Sequence, residues 1–331
     1  MSNNTKDVLA AVVVATITMF LVILLMGSVV LLGQTAGRNA RGDTETVTGP
    51  SGTADQVPIL AYHYIRGSDG PMRFLRVLGY VVLSLPLLDD NEVWTQSVDS
   101  FEKQMRYLHD NGYRTITLGE LTRWQTGRIE LPRRTVAITF DDGDRSVYEH
   151  AFPVLERYGF TATFFVVTSK VGQDWEGVSG LYWQELREMQ SSGVFQIESH
   201  THDMHYRVQT GNYHTPVFLA ASKGEYDFEK YRNWQSAVLN DLGTSRILIR
   251  KHIGAESRYL AWPYGERNDE IDRVARSAGF SRVVSMEGGL NEIIPGSRVS
   301  RRAINRYGIS ARTSMHAFKK IILGTYDPPD A

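Results

Sequence analysis

The sequence predicts an α/β fold, a distorted (β/α)7-type barrel that follows an N-terminal transmembrane helix. Three observations lead to this class. From residue 57 onward, short and nearly continuous apolar segments alternate with segments of helical periodicity, which indicates parallel strands covered on both faces. About seven or eight such units can be counted, a number that suits a barrel better than an open doubly wound sheet. A long uncharged stretch precedes them near the N-terminus.

Residues 8–32 form this uncharged stretch, 25 residues rich in Val, Leu, Ile and Met. As a helix it would measure roughly 37 Å, enough to cross a hydrocarbon core of about 30 Å. The apolar part of a cleaved signal peptide is shorter, about 7–15 residues, and the residues that follow match a cleavage site poorly. We therefore predict an uncleaved membrane anchor over residues 1–33, with a signal peptide as the alternative. The flanking cations, Lys6 before the stretch and Arg38 and Arg41 after it, do not favour an outward-facing domain.

Residues 34–56 are rich in Gly, Thr, Ser and Asp, a composition typical of a flexible linker. The folded domain is expected to span residues 57–331. Its first predicted element is a buried strand at residues 58–63, an apolar run. Apolar residues at helical spacing over residues 98–108 then predict a helix that ends at Gly112.

The alternation continues along the rest of the chain. A near-continuous apolar run at residues 135–140 predicts a fully buried strand. Shorter β-branched or apolar runs predict further strands at residues 114–117, 161–167, 194–198 and 259–262. Segments of helical character predict helices at residues 118–124, 146–158, 182–190 and 268–278. Residues 206–253 carry no recognisable pattern.

Composition and charge exclude several classes of protein. The 36 Lys and Arg residues nearly balance the 37 Asp and Glu residues, so no overall positive field is available to attract nucleic acid. The chain contains neither a Gly-x-Gly-x-x-Gly fingerprint nor a Gly-rich phosphate-binding loop with Lys, so nucleotide chemistry is not indicated. Because the chain has no Cys, it cannot form disulfides or thiolate metal sites, and any metal must be held by His, Asp or Glu.

Polar or aromatic motifs follow three of the predicted strands, at the edge where parallel barrels carry their active sites. Asp141 and Asp142, in Thr-Phe-Asp-Asp-Gly, follow the strand at 135–140. Adjacent carboxylates at the end of a buried strand are costly unless a cation pairs with them, although an Asp-Gly turn that caps the next helix explains them equally well. Trp-Pro-Tyr-Gly at residues 262–265 can form a rigid wall beside a pocket, but such residues alone are more often structural.

Three of the nine histidines lie within six residues, just after the predicted strand at 194–198. These are His200, His202 and His205, and Asp203 lies among them. Their clustering favours a metal site over a solvated loop. The five-residue spacing of His200 and His205 does not stack the two side chains on one face of a helix, so a loop must bring them together.

These segments, together and in this order, resemble the motifs of the polysaccharide deacetylases of the nodulation type, carbohydrate esterase family four. The resemblance extends over about residues 57–318. Within the family, the chain is most similar to the poly-β-1,6-N-acetylglucosamine deacetylases of biofilm formation. In that branch, as here, the two histidines of the second motif are five residues apart (His200 and His205) rather than four. Ala-Trp at residues 261–262 also stands where the wider family has an Arg, and Leu-Ala-Tyr-His at residues 60–63 resembles the first strand of this branch.

The resemblance implies a metal centre with a catalytic base. Asp142, His200 and His205 would be the protein ligands of a divalent metal, zinc in the first place, with cobalt or nickel as alternatives. One carboxylate and two imidazoles leave positions open for water and a substrate carbonyl, as a hydrolytic site requires. Asp141, beside the metal, would be the general base that takes a proton from the attacking water.

The resemblance also implies residues that act on the substrate. The backbone N–H of Tyr264 would donate to the developing oxyanion. His63 would be the general acid that protonates the leaving amine, with a core histidine as the alternative interpretation. Trp262, Pro263 and Tyr264 would bind the sugar through their apolar faces. His202 fits neither ligand position and is not among the predicted ligands.

Residues 74–88 form an apolar run of 15 residues with a single Arg, too short to span a bilayer. Two interpretations are open for this run, and the first, a strand followed by a loop in the core, is slightly favoured. The alternative is an exposed loop that enters the membrane interface and keeps the site near emerging polymer.

The sequence therefore predicts a membrane-anchored enzyme whose catalytic domain is extracellular, at the cell surface. It would use a metal to hydrolyse N-acetyl groups of a β-linked N-acetylglucosamine exopolysaccharide, poly-β-1,6-N-acetylglucosamine, and release acetate. Peptidoglycan or a chitooligosaccharide is the alternative substrate. An inactive carbohydrate-binding module at the surface is the alternative of another class, and the presence of both metal ligands and a base argues against it.

Overall fold

The structure, a computed structural model, describes residues 53–67, 90–292 and 303–326. The predicted anchor at residues 1–33 and the apolar run at residues 74–88 lie outside these ranges. Within them, none of the helices combines the length and the apolar character that crossing a bilayer requires.

Short strands and helices alternate along the described chain. The strands are β1 (Gln56–Val57), β2 (Ile59–Tyr62), β3 (Tyr64–Arg66), β4 (Thr95–Ser97), β5 (Arg114–Thr115), β6 (Thr135–Phe140), β7 (Ala162–Val166), β8 (Phe195–Ser199), β9 (Arg207–Thr210), β10 (Tyr213–Pro216), β11 (Tyr259–Ala261), β12 (Arg282–Val284), β13 (Asn291–Glu292) and β14 (Tyr307–Gly308). The helices are α1 (Asp90–Val93), α2 (Val98–Asp110), α3 (Leu118–Gln125), α4 (Phe152–Tyr158), α5 (Trp183–Ser191), α6 (Val217–Ser222), α7 (Trp234–Ile253), α8 (Asp269–Ser277) and α9 (Met315–Ile322). A π-helical turn (Val147–Ala151) precedes α4, and a 3-10 turn (Pro263–Gly265) follows β11.

Eight strands form one sheet in the order β12-β11-β8-β7-β6-β2-β14, with β5 also paired to β6. The pairs in this sheet are parallel. Ile304 forms a parallel bridge with Val284 of β12, while Tyr307 of β14 pairs with Leu60 of β2. A single short segment thus contacts both edges of the sheet, and the sheet curls. The predicted α/β architecture, a parallel sheet with helices, is confirmed.

The central strands are buried on both faces. β6 occupies the residues predicted for it, and all six of its side chains are buried. In β7, Phe164 packs with Phe140 and Phe195 in one apolar cluster, while Phe165 belongs to a second cluster that contains Trp124. A strand with apolar contacts on both faces shows no alternation of polar and apolar residues, which is why these strands read as continuous apolar runs.

The folded domain begins earlier than predicted. The predicted linker extends to residue 56, but Thr53 already forms a β-bridge and Ala54 is buried. The N–H of Ala54 donates to the carbonyl of Leu131, and its carbonyl accepts a hydrogen bond from Nε1 of Trp124. Residues 53–56 therefore belong to the folded domain. The composition of this segment is typical of a linker, and the sequence does not reveal its contacts because the residues that hold it lie far away in the chain.

A buried carboxylate holds β11 beside β8. Oε2 of Glu198, in β8, accepts hydrogen bonds from the hydroxyl of Ser257 and from the N–H groups of Arg258 and Tyr259. Burial raises the pKa of Glu198 to about 7. These bonds fix the relative position of two strands whose carboxyl ends carry candidate site residues.

The segment at residues 206–253 forms the antiparallel β9–β10 hairpin, α6 and the long helix α7. α7 packs against β8, α5 and α8. Its buried face includes Leu242 and Ile249 but also two polar residues, Asp241 and Ser245. These polar residues interrupt the apolar periodicity, which explains why the sequence of this segment shows no clear helical pattern.

Candidate active site

The carboxyl ends of β2, β6, β8 and β11 border one cleft of about 570 Å³. Six predicted site residues line it: His63, Asp141, Asp142, His200, His205 and Tyr264. Because parallel strands end at the same edge of a sheet, loops from distant parts of the chain meet there. The cleft therefore brings the sequence motifs together.

Asp142, His200 and His205 form a cluster in this cleft. Oδ1 of Asp142 lies 3.4 Å from Nε2 of His200 and 3.3 Å from Nε2 of His205. One ligand atom from each residue lies within 4.8 Å of the other two. Asp142 and His200 are buried, and His205 is half-buried. A carboxylate oxygen and two imidazole nitrogens that converge in this way can hold a metal ion.

Hydrogen bonds to neighbouring groups orient the cluster. Nδ1 of His200 lies 2.8 Å from the carbonyl oxygen of Ala261, an acceptor, so Nδ1 carries the hydrogen and donates. The hydroxyl of Tyr64 donates to Oδ2 of Asp142 at 2.6 Å, which leaves Oδ1 for the imidazoles. Nδ1 of His205 is buried and has no hydrogen-bond partner among the described residues.

The electrostatics of the cluster favour a carboxylate that attracts positive charge. Burial opposes the ionisation of Asp142, but the hydrogen bonds from His200 and His205 outweigh it and hold the pKa of Asp142 well below its usual value. Burial also disfavours the charged form of His200, yet the hydrogen bond to Asp142 raises its pKa overall. The side chain of Asp142 is therefore ionised at neutral pH.

Asp141 forms a buried ion pair with Arg306. Nη1 and Nη2 of Arg306 donate to the two carboxylate oxygens at 2.7 and 2.8 Å, and Asp141 is only 2% exposed. Arg306 also donates to Oγ1 of Thr139 and to the carbonyl of Ser285. Burial opposes the ionisation of Asp141, but Arg306 outweighs this effect and keeps the pKa of Asp141 below its usual value. Asp141 is thus an ionised carboxylate of fixed orientation.

Arg306 is a site residue that sequence reasoning does not identify. The adjacent carboxylates indicate that a cation must be close, but nothing in the sequence tells which of the 36 Lys and Arg residues supplies it. Arg306 lies 165 residues from Asp141 and is brought to it only by the closing segment at β14.

His63 lines the cleft, as predicted for a residue that acts on the substrate. Its Nδ1 is buried and has no hydrogen-bond partner within the described part of the chain. Burial lowers the pKa of His63, while the carboxylates of Asp142 and Asp141 oppose this shift. Its role as a general acid stays a prediction.

Aromatic side chains surround the cluster. The ring of Trp94 lies 4.8 Å from that of His63, measured between centroids. The rings of Trp175 and Tyr264 lie 4.9 and 4.7 Å from that of His205. Trp94 and Trp175 belong to no motif in the sequence, and only their position in the cleft marks them as candidate substrate contacts. Together the three rings give the cleft apolar faces with polar edges.

The structure corrects the prediction for Trp262 and Pro263. The ring of Trp262 is 1% exposed and packs within an apolar cluster, and its Nε1 donates to Asp272. Pro263 is buried as well. Neither can offer a face to a sugar, so the prediction that they bind substrate is wrong. Tyr264 is 37% exposed, and the guanidinium of Arg207 lies 4.2 Å above its ring.

Backbone strain is concentrated at this cleft. In the described ranges, four residues other than glycine have a positive φ: Asp142 (74°), Glu176 (46°), Thr201 (72°) and Tyr264 (63°). Three of them line the cleft, and Thr201 lies between His200 and His205. Each such conformation costs on the order of 1–3 kcal/mol and persists where the surrounding structure imposes it, most often at functional sites.

The fold and the cleft define the class of protein: an α/β protein whose curled parallel sheet carries a carboxylate–imidazole cluster beside a buried aspartate. The family model described as polysaccharide deacetylase matches residues 128–283. The poly-beta-1,6-N-acetyl-D-glucosamine N-deacetylase of Staphylococcus epidermidis is 30% identical over 224 residues, which cover 67% of this chain and 69% of that protein. The protein of the same name from Staphylococcus aureus is 29% identical over 229 residues, 69% of this chain and 71% of that one.

A solved structure adds to these similarities. IcaB from Ammonifex degensii is 28% identical, with a TM-score of 0.63, and the match covers 83% of this chain and 98% of that chain. The chain therefore belongs to the polysaccharide deacetylase family. The enzyme class predicted from its motifs, a polysaccharide N-deacetylase, is confirmed.

Proposed function

We propose that this enzyme removes N-acetyl groups from poly-β-1,6-N-acetylglucosamine and that Asp142, His200 and His205 hold the divalent metal it needs. The observation that carries the proposal is the convergence of these three side chains next to the buried carboxylate of Asp141. The names of its relatives support the choice of polymer.

The donor set fits a metal ion. When Nδ1 of His200 donates to Ala261 and the ring is neutral, Nε2 presents a lone pair at 3.4 Å from Oδ1 of Asp142, and a metal ion would accept lone pairs from both atoms. A carboxylate with two imidazoles suits zinc and accommodates cobalt or nickel. A metal bound there supplies Lewis acidity to the reacting water and to the amide carbonyl.

Residues around the cluster can carry out the proton transfers of amide hydrolysis. The carboxylate of Asp141, oriented by Arg306, takes a proton from the attacking water. The backbone N–H of Tyr264 donates to the amide oxygen as negative charge develops on it. His63 gives a proton to the leaving nitrogen, which departs poorly as an amide anion. The lowered pKa of His63 makes it a stronger acid but reduces the fraction that is protonated at neutral pH.

The sugar contacts follow from the aromatic lining of the cleft. Trp94, Trp175 and Tyr264 take the place of Trp262 as the surfaces against which N-acetylglucosamine rings pack. A cleft lined in this way suits a neutral polymer of sugars, whose apolar ring faces match aromatic side chains.

The proposed place of action is the cell surface, with residues 1–33, which contain the uncharged stretch 8–32, as the anchor. The support for it is the length of this uncharged stretch, 25 residues, which suffices to cross a bilayer as a helix. An enzyme anchored outside the cell would meet an exopolysaccharide as it emerges.

Acetate release from β-1,6- and β-1,4-linked N-acetylglucosamine pentamers, measured side by side with the full chain in mild detergent, tests the proposal. We expect faster release from the β-1,6 pentamer, loss of activity on chelation, and recovery with Zn²⁺, Co²⁺ or Ni²⁺. Faster release from the β-1,4 pentamer would instead favour chitooligosaccharide or peptidoglycan as substrate. Binding without acetate release, unchanged in Asp141→Asn, would contradict the proposal and favour a carbohydrate-binding module.

Removal of the Tyr64 hydroxyl should weaken the metal site without destroying it. In Tyr64→Phe, Oδ2 of Asp142 loses its donor, and the carboxylate is free to rotate away from the imidazoles. We expect metal affinity to fall about 10-fold, measured by competition with a chromophoric chelator. Tyr62→Phe is the matched control, because its hydroxyl donates to Gln104 in the core. The same affinity in both variants would show that the Tyr64 hydroxyl does not orient Asp142.

A further inference from the structure

The loop that joins His200 to His205 needs outside support to keep its shape. Thr201 has a φ of 72°, a conformation that β-branched residues rarely adopt. The separation of the two imidazoles depends on this loop, because a five-residue spacing does not align them by helical periodicity. Strained loops of this kind persist only where neighbouring groups hold them.

Helix α7 holds this loop directly through Asp241 and, one helical turn further on, contacts the end of β8 just before the loop. The carboxylate of Asp241 accepts hydrogen bonds from the N–H groups of His202 and Asp203, at 2.9 and 2.8 Å. Ser245, four residues further along the same helix face, has its Oγ 2.7 Å from Oγ of Ser199. Oγ of Ser199 in turn accepts a hydrogen bond from the backbone N–H two residues further on.

The burial of Asp241 is costly unless its carboxylate has a specific task. Asp241 is 7% exposed, and no Lys or Arg of the described residues forms an ion pair with it; its oxygens accept from the two loop N–H groups instead. Burying a carboxylate without a cation lowers the stability of the fold. If this position of α7 only had to pack against its neighbours, an apolar side chain would be more stable there. The carboxylate therefore serves the loop rather than the general stability of α7.

We infer that Asp241 is a positioning residue of the metal centre, whose carboxylate sets the shape of the loop and thereby the separation of His200 and His205. The inference rests on the metal site proposed above. The carboxylate of Asp241 accepts its two hydrogen bonds from the backbone between the two histidines, so its loss is expected to change metal affinity and ligand geometry while the fold remains. It assigns a role to a segment, residues 206–253, in which no motif can be recognised.

Asp241→Asn in the full chain tests this inference. The side-chain oxygen of Asn can still accept from one of the two N–H groups. Its side-chain NH2 group is a donor and cannot accept from the other, so one hydrogen bond is lost while the side-chain volume stays the same. We expect the Zn²⁺ dissociation constant, measured by competition with a chromophoric chelator, to rise about 10- to 100-fold. The visible absorption of the Co²⁺-loaded protein should also change, because it reports ligand geometry.

Asn233→Ala is the matched control on the same helix. Asn233 is the N-cap of α7, and its side chain accepts a hydrogen bond from the N–H of Ser236, far along the helix from the loop contacts. Its loss should lower the melting temperature, as the loss of an N-cap does, without a change in Zn²⁺ affinity.

The outcomes separate the inference from the proposed function. If the wild type binds metal and Asp241→Asn binds it within about twofold with an unchanged Co²⁺ spectrum, only the inference is overturned. Equal losses of affinity in Asp241→Asn and Asn233→Ala overturn it as well, since they would reflect α7 in general. If the wild type binds no metal, the proposed function and the inference both fall. Should Asp241→Asn not fold, amide exchange in the metal-free wild type decides: slow exchange at His202 and Asp203 supports the inference, and free exchange overturns it.

Discussion

His200→Ala is expected to abolish metal binding and to lower kcat/KM for acetate release by about 10³-fold or more. The variant leaves only Asp142 and His205 in the cluster, too few protein ligands to retain a divalent ion against competition from water. The Lewis acidity lost in this way is worth several kcal/mol of transition-state stabilisation, and about 1.4 kcal/mol corresponds to a factor of ten. Competition titration measures the metal affinity, and acetate release gives the rate.

His202→Ala is the matched control for this experiment, since it removes an imidazole from the same loop but not from the cluster. Nδ1 of His202 lies 3.0 Å from Oγ1 of Thr168, and His202 does not belong to the cluster of Asp142, His200 and His205. We expect its metal affinity and kcat/KM to remain within about threefold of the wild-type values. Turnover that survives His200→Ala, or equal losses in the two variants, would exclude the cluster as the catalytic centre.

Asp141→Asn is expected to lower kcat by about 10²- to 10⁴-fold while metal affinity is largely retained. Asparagine cannot accept the proton of the attacking water. The substitution also leaves Arg306 buried without a counter-charge, so the free energy of unfolding should fall by about 3–5 kcal/mol. Acetate release measures the first effect, and urea denaturation measures the second.

The double variant Asp141→Asn/Arg306→Gln separates catalysis from stability. Removal of the unpaired guanidinium should restore much of the lost stability, but it restores no carboxylate, so activity should remain low. Recovery of turnover in the double variant would show that Asp141→Asn acts through the fold and would contradict the role of Asp141 as base.

The pH dependence of stability offers a second measurement on the same pair. Burial opposes the ionisation of Asp141, but Arg306 outweighs this effect and holds the pKa of Asp141 below its usual value. The ion pair therefore stabilises the wild type fully above about pH 4, and this contribution is lost as the pH falls through the lowered pKa. Asp141→Asn lacks the carboxylate and should not show this component of acid destabilisation.

The elements of the sheet could be predicted because their signals are local. β6 and β7 are buried on both faces, so most of their residues are apolar. Such a nearly continuous apolar run indicates a strand of a parallel sheet. Once the strands are known, their carboxyl ends must share an edge, and the motifs at Asp141, Asp142 and His200 could be expected to meet there.

Other features of the site depend on contacts that no local pattern records. Arg306 reaches Asp141 only because β14 pairs with β2 at the edge of the sheet. Trp262 lies two residues before Tyr264 in the sequence, yet its ring is buried in the core, where Nε1 donates to Asp272. Asp241 interrupts the apolar face of α7, and only the tertiary structure shows that it accepts hydrogen bonds from the loop between the two histidines.

The sequence by itself determined the parallel α/β architecture, the strand ends that carry the chemistry and the family to which the enzyme belongs. These follow from the periodicity of apolar residues within each segment and from the order and spacing of short motifs. Both can be read directly from the linear sequence. Only the tertiary structure decided which arginine pairs with Asp141, which aromatic rings face the cleft and which helix supports the histidine loop. The physical reason is that ion pairing and burial act through space, between side chains that the linear order of the chain leaves far apart.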